Sequence, residues 1–418
     1  MKKGNDNKNN DKIPNVPHLR FKEFSGEWER YKCSDFLVNF PANSLSWEML
    51  SYNASSEIFN LHYGLIHSGA PALIDIEKYK LPCIINTNIK EQTVIENGDI
   101  IFADASEDTN EIAKSVEFIN TNNKIIYSGL HTIHTRDYKK LTIIGFKAFL
   151  FQSYYFHKQV ERITQGTKIY SLNFNNFKEI HVSIPNKTEQ QKITNFLTLI
   201  DNRIETQMKI IKEIESLKNS IVIKIFGDKS KFLNKWAKTK LSDILKERKQ
   251  YAQKGSKYTH VTLSKEGVVN KTDRYNRDFL VKDEEKEYKV TQLNDICYNP
   301  ANLKFGVICL NKYGDAIFSP IYVTYEINKN YNPLFIEFAL TNSTFIGHIR
   351  KYEQGTVYER MAVSSEDFLK GTVRVPSFEE QNHIVKTFNN IDRRLEIEKR
   401  IIDKLKKQKS YLLNNMFI

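Results

Sequence analysis

Two stretches of the chain gather basic, amide and aromatic side chains of the kinds that touch nucleic acid. The first sets Arg136, Lys139 and Lys140 after Tyr127, Ser128, His131 and His134. The second holds Lys271, Arg274, Tyr275 and Arg277, then Lys304, Lys312 and Tyr313. A Gln-Gly-Thr tripeptide occurs twice, as Gln165-Gly166-Thr167 and as Gln354-Gly355-Thr356, the second copy leading to Tyr358 and Arg360. Arg, Gln and Asn pair with base edges in the major groove, whereas Lys, Ser and Thr hold phosphates. Arg136, Lys139, Lys140, Gln165, Thr167, Lys271, Arg274, Tyr275, Arg277, Lys304, Lys312, Gln354, Thr356, Tyr358 and Arg360 are therefore the candidate DNA contacts. Any one of them taken alone reads better as a solvated surface group, so the clusters carry the reading. The Gln-Gly-Thr repeat reads as a phosphate-binding turn or as a purely structural one.

Catalytic chemistry finds no support. His131 and His134 form H-x-x-H, but no further His, Cys or carboxylate stands at a familiar ligand spacing, so no metal is expected. There is no G-x-x-x-x-G-K-[ST] and no G-x-G-x-x-G. Asn332-Pro333-Leu334-Phe335 lacks the second Pro of an amino-methyltransferase motif, and Glu284-Glu285-Lys286 resembles a nuclease motif in composition only. Cys33, Cys83, Cys297 and Cys309 contain no C-x-x-C pair and read as free thiols of a reducing cytoplasm.

A formal charge of +12 suits a polyanionic partner. It is unevenly spread. Residues 18–184 carry 17 basic against 19 acidic groups, whereas residues 227–375 carry 25 against 18. The first large segment would bind DNA through a local patch. No apolar run approaches the roughly 20 residues of a membrane helix, and the first 17 residues read as a polar tail.

The elements that must position these groups repeat. Trp28…Lys32-Cys33-Ser34-Asp35-Phe36-Leu37 returns as Trp236…Lys240-Leu241-Ser242-Asp243-Ile244-Leu245. Gly98-Asp99-Ile100 returns as Asn294-Asp295-Ile296, and Ile184-Pro185…Glu189-Gln190 as Val375-Pro376…Glu380-Gln381. With Gln-Gly-Thr, four landmarks recur in one order.

After each Pro the pattern predicts a long helix, capped by Asn186 or Ser377 with Glu189 or Glu380 at the capping-box position. Apolar residues then recur in a 4-3 rhythm over about five heptads. The first seam runs from Ile193 to Ile225 with breaks at Gln207 and Lys218; the second runs from Ile384 to Met416 with breaks at Glu398 and Lys409. An antiparallel coiled coil with pseudo-two-fold symmetry would set Lys218 opposite Glu398 and Gln207 opposite Lys409. Helices of about 35 residues span roughly 50 Å.

The expected fold is α+β: a tail (1–17), a first recognition domain (18–184), a helix (185–226), a second recognition domain (227–375) and a second helix (376–418). Strands are expected at Asp99–Phe102, Lys124–Tyr127, Leu141–Phe146 and Ile180–Ile184, then at Thr259–Leu263, Asp295–Tyr298, Gly306–Leu310 and Ile317–Ile327.

Two unlike domains alternating with two similar helices, each after a Pro-x-x-x-Glu-Gln turn, resemble the specificity subunit of a type I restriction-modification system. Val16-Pro17-His18-Leu19-Arg20-Phe21 and Gly26-Glu27-Trp28 add to the likeness. The resemblance implies a cytoplasmic, non-catalytic subunit that reads a bipartite site on double-stranded DNA. It implies two methyltransferase subunits and two restriction subunits as partners. S-adenosylmethionine, ATP and Mg would belong to those partners, and no cofactor to this chain. The competing readings are a coiled-coil scaffold with no nucleic-acid role, and a DNA nuclease or methyltransferase with an active site of its own.

Overall fold

The computed structural model describes residues 15–86, 90–166, 168–227, 230–232, 235–253, 257–265, 267–270, 287–355 and 361–418. The fold is α+β. The chain divides into two compact units: one runs up to Gln207 and includes Ile401–Ile418, and the other is Met208–Arg400. No helix of the described residues is long and apolar enough to cross a membrane.

In the first unit, strand Glu29–Lys32 pairs antiparallel with His181–Ile184. The short helix Cys33–Phe36 then turns the chain into a five-stranded sheet of order Leu37–Phe40, Thr132–Asp137, Ile100–Ala103, Ser115–Ile119, Leu73–Asp75. A four-stranded sheet holds Ile125–Ser128, Ile58–Leu61, Cys83–Ile84 and Leu50–Ser51. Phe36, Phe102, Phe151 and Phe177 fill the main core. Leu412, Met416 and Phe417 of the second long helix and its end close that core, with Phe417 set edge-on to Trp28 at 6.3 Å.

The second unit reuses this plan. Strand Ala237–Lys240 pairs with Thr372–Val375, and helix Leu241–Ile244 leads into a sheet of order Leu245–Glu247, Val323–Ile327, Ile296–Tyr298, Ile308–Leu310. Phe226 and Trp236 meet edge-on at 6.1 Å, as Phe417 and Trp28 do in the first unit. A junction hydrogen bond also recurs: Cys33 N donates to Ile180 O (2.8 Å), and Leu241 N to Gly371 O (2.9 Å).

The long helices span Lys187–Phe226 and Phe378–Asn415. Asn186 Oδ1 accepts from Glu189 N and Ser377 Oγ from Glu380 N, as N-caps should. The reciprocal arm of the capping box is used otherwise. Glu189 takes a bidentate pair from Arg20 at 2.7 Å, and Glu380 accepts from Trp236 Nε1. The following glutamines explain the motif. Gln190 is buried, donates to Pro185 O and Leu141 O and accepts from Ile143 N; Gln381 donates to Pro376 O and accepts from Asn332 N. Each Gln thus fastens a helix start to its own domain.

Among the seam residues Ile193, Leu197, Leu395, Ile402 and Leu405 are buried, whereas Ile204, Ile211, Ile214 and Ile391 are half-buried. The polar register differs from the expected one. In the second unit Lys218 meets Asp392 (2.5 Å) rather than Glu398, and in the first Lys409 meets Asp201 (2.6 Å) rather than Gln207. A lysine stem can lie along the apolar seam while its ammonium reaches a flanking, wetter carboxylate. That avoids the desolvation that a charge pair inside the seam would suffer.

Two expected strands are corrected. Residues 141–146 form a turn, because side chains take its backbone donors. Ile143 N goes to Gln190, and Gly145 N and Ala148 N go to the buried Glu117, which also pairs with Lys147. Gly145 has φ +91°, outside any strand. Ile317–Ile327 is two strands, Ala316–Phe318 and Val323–Ile327, since Pro320 cannot donate to a ladder.

Candidate nucleic-acid interface

Each unit holds the start of its central strand with a buried carboxylate. Asp99 accepts from Glu96 N, and Asp295 from Gln292 N, both at 2.8 Å. The residues before them, Gly98 and Asn294, have φ of +83° and +68°. An arginine grips each carboxylate with two hydrogen bonds, Arg136 at 2.7 and 2.8 Å and Arg248 at 2.7 and 2.9 Å. Arg136 lies on strand Thr132–Asp137, whereas Arg248 directly follows strand Leu245–Glu247, so one solution is reached by two routes. His134 Nε2 also lies 2.8 Å from Asp99. Burial opposes ionisation of Asp99, but hydrogen bonds from Arg136, His134 and Glu96 N outweigh it and hold the carboxyl below its ordinary range.

The Gln-Gly-Thr copies start closed loops beside the far ends of those strands. Gln165 and Ser171 exchange backbone hydrogen bonds, as do Gln354 and Ala362. Leu172 N then donates to Asp104 O, and Val363 N to Pro300 O, which ties each loop to the segment leaving the central strand. A Cβ on Gly166, whose φ is +124°, would stand 2.0 Å from Ile169 O. The glycine is therefore demanded by the loop's own crossing.

Around the first loop lies a cluster of rings. Trp47 packs on His62 at 4.7 Å, His62 on Tyr63 at 4.7 Å, and Tyr63 edge-on to His131 at 5.3 Å. His67 Nε2 bonds Ala105 O, and His131 Nδ1 stands 3.2 Å from Asp104. Burial pushes the Asp104 carboxyl up, against the pull of His131. Burial also lowers His62, with His131 adding to the effect. Trp47, Ile169 and Lys168 are exposed here. Sequence reasoning missed Trp47, His62, Tyr63 and His67, although their density over 21 residues was a usable signal. On the segment that follows Pro300, the residue tied to Val363 at the end of the second loop, stand Lys304 and the exposed Phe305, whose ring lies 5.2 Å from the Lys304 ammonium; Met361 of the loop is exposed too.

The structure brings some sequence candidates together and separates others. Gln165 lies at the first loop, and Lys304 and Gln354 at the second; the Gln354 amide donates to Asp367. Lys139 and Lys140 are exposed at the opposite end of strand Thr132–Asp137. Arg136 spends its guanidinium on Asp99, Glu96 and Val94 O, and Lys312 pairs with Glu337 at 2.7 Å. Tyr127, Ser128 and His134 are buried strand residues, not loop residues. Thr167, Lys271, Arg274, Tyr275, Arg277, Thr356, Tyr358 and Arg360 lie outside the described residues.

A family model described as the type I restriction modification DNA specificity domain matches residues 83–216, a span that includes the first loop and the start of the first long helix. Over those residues the chain is similar to the type I specificity-subunit family. A type I specificity subunit of Mycoplasma genitalium is 25% identical over 278 residues, covering 62% of this chain and 67% of the relative. Two solved structures share the fold. The type I restriction-modification S subunit from M. genitalium aligns with a TM-score of 0.53 at 15% identity, covering 96% of this chain and 99% of that one. A chain from work on complex assembly and conformational transition of the type I system gives 0.56 at 13% identity, covering 92% and 96%. Members of this specificity-subunit family are in general non-catalytic, and DNA target recognition is their role.

Proposed function

We propose that this chain reads a bipartite DNA target, one half with each recognition domain, and holds the enzymes that act there. The observation that carries the reading is a repeated frame around unlike surfaces. Both units fix an Asp–Arg anchor and close a Gln-Gly-Thr loop over the same strand end. The side chains about the two loops have nothing in common: an aromatic-histidine cluster with Trp47 and His131 exposed in one unit, and exposed Lys304 with Phe305 in the other.

In this reading Gln165, Lys304 and Gln354 face DNA, with Thr167, Thr356, Tyr358, Arg360 and the 271–277 cluster as further contacts. Lys139 and Lys140 are at most outlying phosphate contacts, and Arg136 and Lys312 support the domains. The long helices form one antiparallel, pseudo-two-fold coiled coil that sets the gap between half-sites. Two methyltransferase and two restriction subunits dock on the complex in the cytoplasm and carry S-adenosylmethionine, ATP and Mg. This chain supplies no catalytic residue.

The test is adenine methylation mapping in cells expressing this chain with its partner methyltransferase subunits. One split motif should appear, and it should vanish when this chain alone is removed. Methylation that persists without the chain would contradict the reading.

A further inference from the structure

The geometry points to a binding site in the second unit for a small phosphate ester with a flat ring, of the nucleoside diphosphate class. A cavity of about 470 Å³ lies between helix Ser343–Ile349 and the paired strands Ala237–Lys240 and Thr372–Val375. Phe226 and Phe345 contribute apolar wall, while Lys238, His348, Lys351 and Arg374 line it with basic groups. None of the described lining residues is acidic. A concave apolar surface with a few convergent polar groups is the usual form of a small-ligand site, whose volumes run from about 300 to 1,000 Å³. A duplex backbone is convex and would reach only the rim.

The first unit shows that the shared frame does not require this cavity. The helices match by their caps: Ser153 Oγ accepts from Phe156 N, and Asn342 Oδ1 from Phe345 N. From there Tyr155 matches Thr344 and Gln159 matches His348. Gln159 spans the gap in the first unit, donating to His181 O (2.8 Å) and accepting from His181 N (3.0 Å). At the strand junction the buried Ile180 of the first unit is replaced by Gly371. Two smaller choices, Thr344 for Tyr155 and Gly371 for Ile180, thus leave space in one unit where larger side chains stand in the other. A guanidinium is also set in place there. Trp28 O accepts from the neutral Asn15 amide in the first unit, whereas Trp236 O accepts from Arg374 Nη1 (3.2 Å).

Such a site departs from the expectation that no cofactor belongs to this chain, and it does not depend on how DNA is read. The test is calorimetric titration of the purified full chain with ADP, adenosine and pyrophosphate. ADP should bind about tenfold or more tightly than either fragment, as one charge-assisted contact set would give. Thr344→Tyr, the residue of the first unit, should abolish ADP binding with the melting temperature kept, and the exposed pair Lys238→Ala/Lys351→Ala should weaken it about tenfold or more. The absence of ADP binding would overturn the inference. So would equal binding of pyrophosphate and ADP that Thr344→Tyr leaves untouched, which is surface charge alone. Displacement of ADP one-for-one by a short duplex would also overturn it, by assigning the cavity to the DNA surface.

Discussion

Lys218 and Asp392 stand 2.5 Å apart in the second unit, and Lys409 and Asp201 repeat that pair at 2.6 Å in the first. From 218 to 409 and from 201 to 392 the step is 191 residues in both cases. The same two residue types thus meet the same way twice. A double-mutant cycle on Lys218→Ala and Asp392→Ala, read by chemical denaturation, should give a coupling near 0.5 kcal/mol, the range of partly exposed pairs. Lys218→Ala with Glu398→Ala should give little. The reverse outcome would restore the seam-centred register.

Asp99 anchors the first domain with Arg136 and His134. Asp99→Asn should cost about 3 kcal/mol, because it strips Arg136 of its buried counter-charge and leaves it only the exposed Glu96. The pH dependence has a fixed sign. A carboxyl held below its unfolded value near 3.9 contributes stability that is fully present above that value. The advantage of wild type over the variant should therefore hold at neutral pH and shrink as pH falls below about 4. A difference that grows on acidification would contradict the assignment.

Lys304→Ala should weaken duplex binding at every sequence and flatten the plot of log affinity against log salt by about 0.9, one phosphate's worth. An unchanged slope would remove Lys304 from the interface.

How much of this was readable in advance depended on whether a feature was local. The helices, their caps and the repeat follow from spacing along the chain. The Asp–Arg anchors do not, since Asp99 finds its arginine 37 residues downstream and Asp295 finds its own 47 residues upstream. The run 141–146 looked like a strand because its β-branched and aromatic content fits one. Only the folded chain brings Gln190 and Glu117 to its backbone donors. The Gln-Gly-Thr repeat was visible, but its closure depends on Ser171 and Ala362, which share no pattern. Exposed lysines carry no packing signal at all, so Lys139 and Lys304 looked alike until the strand ends separated them.

The spacer prediction follows from helix geometry. Four residues inserted near Gln207 and near Glu398 lengthen each helix by roughly 6 Å and turn it by about 400°, close to one full turn. A stutter of that size can be absorbed by a supercoil. The unread gap in the methylated motif should grow by about one or two base pairs, with both half-site sequences kept. Two inserted residues rotate each seam by about 200° and should abolish assembly. An unchanged gap with intact methylation would show that the helices do not measure it.

The central claim, that each recognition domain reads its own half-site, is tested most directly by replacing residues 227–375 with the second recognition domain of another family member and mapping methylated adenines. The account predicts a split motif in which one half is unchanged, the other half is new and the gap is kept. A motif in which both halves change together would contradict it.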